Sequence, residues 1–249
     1  AGNWDDGVPS SSGDTASVPV IGSTIELGAG NDFTIDTLLM SPDETGTETW
    51  QSGWEAPATL DMYGNLTVDT TLSMASGSGS TDSVINIHDG ATLKGRVTTS
   101  NYFYLGSHGS TATATINIKD GGTFRDTTDV QLYLGSRYTN GSDPANATGK
   151  LNIEEGGSVD LSGITSNREG GEGIIDVRGT LNIDNTLNFG HRGGYAGGEY
   201  TVHGSTSPSI TLGHLSQRQE GSTLRFLVDD SAPHITPTEI SGDLEFGTM

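Results

Sequence analysis

The chain has 249 residues, a formal net charge of −21 and no cysteine. Disulfides, thiolate metal sites and cysteine nucleophiles are therefore excluded, and the acidic balance disfavours nucleic acid as a partner. Only 31% of the residues are hydrophobic, and no apolar run approaches the roughly 18 residues that a membrane span needs. Such a chain is either disordered or built around a thin, repeating core.

The chain opens with residues 1–16, an amino-terminal segment that is followed by two strand-like segments at residues 17–21 and 24–27. It begins Ala1-Gly2-Asn3-Trp4 and lacks both an initiator Met and a basic, apolar leader. These features are typical of a mature secreted protein, although an expression fragment shares them. We therefore expect a secreted, extracellular or cell-surface protein.

Residues 40–56 interrupt the pattern and contain Trp50 and Trp54. Tryptophans on a loop can stack on sugars or anchor a partner. They can equally fold back as a lid, so both interpretations stay open for this insertion.

A repeated unit begins beyond this insertion. Residues 84–93, 115–124, 150–159 and 174–183 each read as an alternating strand, a glycine turn and a second strand. Two apolar columns align in the first strand, one formed by Met62, Ile87, Ile118, Ile153 and Val177, the other by Leu60, Ile85, Ile116, Leu151 and Ile175. This recurrence in register argues against disorder.

The second strand of the unit predicts a further column, formed by Val68, Leu93, Phe124, Val159 and Ile183. Gly90, Gly121 and Gly156 follow an acidic residue and are expected at tight corners, because glycine adopts positive φ without steric cost. A third strand that ends in glycine is predicted at residues 103–106, 132–135, 187–190 and 210–213.

The unit of three short strands and about 25 residues predicts one coil of a parallel β-helix. The predicted fold class is thus all-β, a right-handed β-solenoid of roughly eight coils, with loop insertions at one corner and a single domain over residues 1–249. Leucine-rich repeats have a similar period but are disfavoured, because the Leu/Asn spacing and the helical segment are both missing.

These motifs resemble a known family. The alternation of Tyr104-Leu105-Gly106-Ser107 with residues 114–118, and the opening segment from Asn3-Trp4-Asp5-Asp6 to residue 16, are similar to the passenger domains of autotransporters and related exported bacterial surface proteins. The resemblance implies a right-handed parallel β-helix outside the cell, used for display, adhesion or assembly. It brings no catalytic residue.

Two sets of polar residues are candidate sites. His108, Arg137, His191 with Arg192, and His214 follow the predicted third strand; neighbouring histidines could share a metal, but a solvated polar corner is the favoured interpretation. Asp69, Lys94, Arg125, Asp160 and Asp184 form a second set. With Arg96, its basic members suit a polysaccharide lyase, yet charge pairing on an outer face is favoured because the overall field is acidic.

Acidic residues cluster in predicted turns, at Asp5-Asp6, Asp43-Glu44 with Glu48, Glu154-Glu155 and Asp229-Asp230. Oxygen ligands of this type bind Ca²⁺ when several converge. No segment has the spacing of a known calcium loop, so Ca²⁺ binding and a simple solubilising surface are both open.

The ends of the predicted solenoid give the strongest functional indication. The carboxyl-terminal segment, residues 229–249, is strand-like rather than a capping helix. Uncapped, dissimilar ends favour head-to-tail assembly of copies into a fibre or surface layer without enzymatic activity. The residues predicted to carry assembly are Trp4, Val18, Val20, Ile25, Leu27, Ile240, Leu244 and Phe246. The alternatives are a fragment whose neighbouring coils are absent, and an extracellular glycan-binding or adhesin module that uses Trp50 and Trp54.

Overall fold

The computed structural model describes part of the chain, and every element in that part is a β-strand. The described residues are 13–18, 24–40, 58–76, 82–96, 102–107, 112–126, 130–136, 147–166, 171–189, 199–203, 208–217, 223–227, 239–240 and 244–246. Among these residues no helix is present, and so no helix that could cross a membrane.

One sheet has eight strands in the described part. They are β2 (Thr24–Leu27), β4 (Ala58–Met62), β6 (Ser83–Ile87), β9 (Thr113–Ile118), β12 (Thr148–Ile153), β14 (Glu172–Val177), β16 (Glu199–His203) and β18 (Thr223–Leu227). Each pairs in parallel with the next one along the chain, so their spatial order is their sequence order.

The second sheet has twelve strands in the described part. They are β1 (Thr15–Val18), β3 (Asp32–Met40), β5 (Asn65–Ser76), β7 (Thr92–Gly95), β8 (Tyr102–Ser107), β10 (Thr123–Asp126), β11 (Gln131–Ser136), β13 (Ser158–Ser166), β15 (Thr180–Phe189), β17 (Ser209–Gln217), β19 (Glu239–Ile240) and β20 (Leu244–Phe246). Long strands such as β5 and β13 pair along one half with β7 and β10 and along the other with β8 and β11.

The chain alternates between the two sheets, and the pairs within both are parallel. All-β architecture with parallel strands is therefore confirmed, and it is consistent with a β-solenoid. Side chains alternate between a buried and a more exposed side, as in β6 and β9, because successive residues of a strand point to opposite faces.

The two apolar columns predicted for the first strand are confirmed by the register of the eight-stranded sheet. Ile87 lies opposite Met62 and Ile118, and Ile153 lies opposite Ile118 and Val177. The second column lies two residues earlier in each strand. In β16 the first column continues at Val202 and the second at Tyr200. Their side chains are buried and form one side of the core.

The column predicted for the twelve-stranded sheet is wrong at both ends. Leu93, Phe124 and Val159 are opposite one another, but their neighbours are Leu66 and Leu181 rather than Val68 and Ile183. The corners after Met62 and Val177 are two residues shorter than the corner after Ile87, and this shifts the following strand by two positions.

The predicted glycine corners are confirmed. Gly90, Gly121 and Gly156 have φ values of 74°, 72° and 79°, in the region that disfavours residues with a Cβ atom. At the short corner, Gly64 is needed for a different reason: a Cβ atom there would lie 2.5 Å from the carbonyl oxygen of Gly28.

The third segment is confirmed at residues 103–106, 132–135 and 187–189 and is wrong in one unit; Gly190 lies outside the described residues. Leu132 lies opposite Phe103, and Ile164 links this column to Leu187. Residues 210–213 instead continue the second segment, since Leu212 lies opposite Ile183. The third segment of that unit is residues 214–217, after a register shift at Gly213.

Candidate functional site

The terminal strands of both sheets form the first candidate site. The outer edges of β1 and β2 at one end, and of β18, β19 and β20 at the other, pair with no strand in the described part of the chain. An open edge is a row of backbone donors and acceptors that another strand can use. Residues 1–12, 19–23, 228–238, 241–243 and 247–249 lie outside the described ranges, so the absence of caps at these ends stays a prediction.

The structure places most of the predicted assembly residues on these strands. Val18 is in β1, Ile25 and Leu27 are in β2, Ile240 is in β19, and Leu244 and Phe246 are in β20. The Ile25 and Leu27 side chains are only 5% and 6% exposed. A strand added beside β2 would therefore meet mainly its backbone edge. Trp4 and Val20 lie outside the described residues.

A ladder of amide side chains runs along the outer face of the eight-stranded sheet. Asn86 Nδ2 donates to Asp61 Oδ1 at 2.7 Å. Asn117 Nδ2 donates to Asn86 Oδ1, and Asn152 Nδ2 to Asn117 Oδ1, both at 2.8 Å. Every donor points toward the amino-terminal strands, and the Asp61 carboxylate accepts the last one.

The ladder meets a second carboxylate, Asp176, at its other end. Asp176 lies opposite Asn152, and His203 Nε2 lies 3.0 Å from its Oδ2 atom and 2.9 Å from its Oδ1 atom. The Arg178 Nε atom is 3.5 Å from Asp176 Oδ1. His203 thus hydrogen-bonds to Oδ2, whereas the buried Oδ1 atom accepts no hydrogen bond from a described residue and is compensated only by the two ion-pair contacts.

An open depression of about 490 Å³ lies beside this end of the ladder, bordered by Asn152, Glu154, Glu155, Asp176 and Arg178. The Glu154 carboxylate is paired with the Lys119 ammonium group. No group of three His, Cys, Asp or Glu side chains within the described ranges is arranged to hold a metal ion. Of the acidic clusters weighed for Ca²⁺, those at residues 5–6, 43–48 and 229–230 lie outside these ranges.

A second depression, of about 220 Å³, lies on the outer face of the twelve-stranded sheet. It is bordered by Asp32, Phe33, Thr34, Asn65, Thr67, Thr92, Lys94 and Arg125. Lys94 and Arg125 are directly opposite each other, and neither forms an ion pair with a described residue. The depression thus holds two neighbouring cations and the Asp32 carboxylate on a surface that also carries hydroxyl and amide groups, and Asp160 lies opposite Arg125 on the next strand.

The polar column predicted here is correct only at its centre. Lys94, Arg125 and Asp160 are in register, but the flanking residues are Thr67 and Asn182. Asp69 and Asp184 are displaced from it by the same short corners that shift the apolar column. The predicted grouping of all five charges is therefore wrong.

Asp69 instead binds Arg96. The guanidinium makes two contacts, from Nε to Oδ1 at 2.9 Å and from Nη2 to Oδ2 at 2.6 Å. The hydrogen bond and the charge of Asp69 raise the pKa of Arg96 above its usual value. Arg96 is thus held by a buried carboxylate and is unsuited to abstract a proton from a substrate.

The aromatic residues divide between described and undescribed segments. Trp50 and Trp54 lie outside the described residues, as do His108, Arg137, His191 and Arg192. In the described part, Tyr63 stacks on His88 with ring centroids 4.2 Å apart, and Tyr104 stacks on Tyr133 at 5.4 Å. His214 lies in β17, opposite Thr186 of β15.

No family model, curated protein or solved structure matches the chain.

Proposed function

We propose that the protein is a non-enzymatic, extracellular structural protein whose copies stack head to tail into a fibre or surface layer. In this proposal the fold is a right-handed parallel β-helix of roughly eight coils. The observation that carries it is the continuous parallel stack, whose terminal strands have no partner on their outer edges among the described residues. Contacts between two dissimilar ends extend into filaments when they do not close into a ring.

The backbone geometry of β2 supports strand addition. The Leu27 carbonyl accepts a hydrogen bond from the Tyr63 amide at 2.8 Å, so Leu27 directs its backbone groups toward β4. Because successive residues of a strand direct these groups to opposite sides, the N–H and C=O of Glu26 point to the open edge. A strand from a second copy would satisfy them.

The extracellular location and the display role rest on the resemblance to autotransporter passenger domains and on the composition. A net charge of −21 per copy makes copies repel one another. Salt screens this repulsion, and Ca²⁺ would reduce it further by binding carboxylates. Assembly is thus expected to increase with ionic strength and with Ca²⁺.

Purified protein imaged by negative-stain electron microscopy, with and without Ca²⁺, tests the proposal. We expect fibres of about solenoid width, and sedimentation velocity should show species that grow with concentration. Glu26→Pro removes a backbone donor from the open edge of β2 and leaves the β2–β4 bonds intact, so this variant should remain monomeric. Monodisperse wild-type monomers under all conditions would disprove the proposal.

Binding of an acidic extracellular glycan is the second function that we propose. The neighbouring Lys94 and Arg125 side chains, which form no ion pair with a described residue, border a shallow polar groove and support it, since cations and hydroxyl groups recognise carboxylated sugars. Polygalacturonate should bind the wild type and not the double variant Lys94→Gln, Arg125→Gln, whereas a neutral glycan should bind neither. Trp50→Ala with Trp54→Ala tests the tryptophans separately, and an ultraviolet-absorbing unsaturated product would favour a lyase instead.

A further inference from the structure

We propose that copies join in one defined register, in which Arg225 of one copy lies opposite Glu26 of the next. This inference rests on the head-to-tail stacking proposed above and specifies its junction. The junction would join β18 at the carboxyl-terminal end of one copy to β2 at the amino-terminal end of its neighbour.

The register follows from the strand pairs inside one copy. Glu26 lies opposite Asp61, and the same column continues through each strand of the eight-stranded sheet to Thr201 and Arg225. Extending the sheet by one more parallel step places residues 223–226 of one copy against residues 24–27 of the next. The apolar columns would continue across the junction, with Ile25 and Leu27 following the column positions of residues 224 and 226.

Charge selects this register from the alternatives. Neighbouring strands are about 4.8 Å apart, close enough for opposite side chains to form an ion pair. Both Glu26 and Arg225 are exposed, and Arg225 Nη1 already lies 3.1 Å from Glu199 Oε1 in its own copy. Since a slip of one residue turns every side chain to the opposite face, the next acceptable slip is two residues. A two-residue slip would place Arg225 opposite Thr24 and lose the pair.

The same charges disfavour contact between identical ends. Two β2 edges would bring two copies of Glu26 together, and two β18 edges would bring two copies of Arg225 together. Like charges on neighbouring strands are destabilising. One column that ends in a glutamate at the β2 edge and an arginine at the β18 edge therefore favours head-to-tail contact.

The twelve-stranded sheet sets a further condition. When β2 of the next copy pairs with β18, the second half of β17 faces residues 37–40 of the next copy across the junction. The gap between them has room for one strand. Both β20, which pairs with residues 215–217, and β1 of the next copy, which pairs with residues 37–40, would occupy it. β20 has three paired residues on β17, whereas β1 has four on β3. Filling the position with β1 would pair more residues, so β20 is the strand that leaves.

Charge reversal tests the junction in full-length protein. Glu26→Arg and Arg225→Glu should each raise the concentration needed for assembly by roughly five- to ten-fold. An equimolar mixture of the two variants should assemble like the wild type, because every junction in an alternating stack then joins opposite charges. The double variant in one chain should also assemble, and circular dichroism of each monomer verifies folding.

Two control variants separate junction effects from net charge. Lys150→Glu and Glu155→Arg change the net charge by the same amounts, but they lie inside the stack on β12 and at the corner that follows it. If the wild type assembles and the reversals act no differently from these controls, or if mixing fails to restore assembly, the register is wrong while the proposed function stands. If the wild type does not assemble, the proposed function itself is wrong.

Discussion

Arg96 neutralises Asp69 through a two-point contact, and the two residues differ sharply in exposure: the arginine side chain is 47% exposed and the aspartate side chain 8%. The pair joins the end of β7 to β5, in neighbouring units of the chain. A buried carboxylate without a partner is strongly unfavourable, so the contribution of Arg96 to stability comes mainly from compensating Asp69.

Replacing Arg96 should therefore destabilise the protein more than replacing both residues. We expect Arg96→Ala to lower the urea midpoint, because it leaves the Asp69 carboxylate buried and unpaired. The double variant Arg96→Ala, Asp69→Ala should recover most of that loss. Equal losses in the single and double variants would show that the arginine acts through packing instead.

A column of small residues crosses the eight-stranded sheet near the beginning of its strands, and two of its members give opposite predictions. Ser83 is fully buried, and its hydroxyl forms no hydrogen bond with a described residue. Ser83→Ala should raise the free energy of unfolding by about 1 kcal/mol.

Gly149 lies in the same column as Ser83, linked to it through Ala114, but a Cβ atom there would be 2.4 Å from the Leu105 carbonyl oxygen. Gly149→Ala should lower the free energy of unfolding by about 1–3 kcal/mol, as denaturant titration of both variants will show.

The amide ladder predicts a position-specific role for asparagine. Asn117 donates one ladder bond and accepts another, so Asn117→Ala should cost about 1–2 kcal/mol. Asn182 is the matched control, since it also faces outward on a central strand but forms no ladder bond. Asn182→Ala should change stability by less than about 0.5 kcal/mol. Similar losses at the two positions would contradict a stabilising ladder.

Asp126 predicts a dependence of stability on pH. Burial raises the pKa of this carboxyl above 3.8, although the Ser162 amide donates to its Oδ2 atom at 2.7 Å. The folded protein therefore holds the proton of Asp126 more tightly than the unfolded chain does. As the pH falls from the pKa of the folded protein toward 3.8, protonation of Asp126 adds to the stability of the folded state. The Asp126→Asn variant has no carboxyl group to protonate, so it lacks this gain in stability. The urea midpoint of the wild type relative to the variant should rise as the pH is lowered through this window; a constant difference would contradict the prediction.

Displacement of β20 can be tested with a reversible lock, because the chain has no cysteine of its own. Ser216 lies opposite Glu245, and paired residues on neighbouring strands are about 4.8 Å apart, within the Cα–Cα range that a disulfide spans. In Ser216→Cys, Glu245→Cys protein, oxidation should hold β20 in place and prevent assembly, and reduction should restore it. Assembly of the oxidised protein at the wild-type concentration would show that β20 does not leave.

The predictable part of the fold is the part that depends on local alternation at constant spacing. Ile85 and Ile87, with their equivalents in other units, lie in the predicted columns because both columns fall within one strand and no corner separates them. Val68 and Ile183 were misplaced because Gly64 and Gly179 form shorter corners. A corner that is two residues shorter shifts the next strand by two positions. Every side chain then stays on the same face of the sheet, so the alternation of apolar and polar residues does not reveal the shift.

Contacts between units were harder to predict than the columns themselves. The ladder had a visible signal, since Asn86, Asn117 and Asn152 each lie between two apolar column residues. Its significance depends on register, which brings amides from distant sequence positions to hydrogen-bonding distance. The Asp69–Arg96 pair has no such signal, because the shorter corner at Gly64 puts Asp69 two residues closer to its preceding strand than Arg96 is to its own.

The uniform direction of the amide ladder gives the protein an electrical polarity. The aligned side-chain dipoles present their positive ends toward Asp61 and their negative ends toward Asp176. The carboxylate at the first end receives the Asn86 amide and also contacts His88 Nε2 at 3.4 Å, whereas the one at the second end receives no ladder amide and contacts His203 and Arg178. In a head-to-tail stack these dipoles would add from copy to copy, so the two tips of a fibre would differ in electrostatic potential as well as in shape.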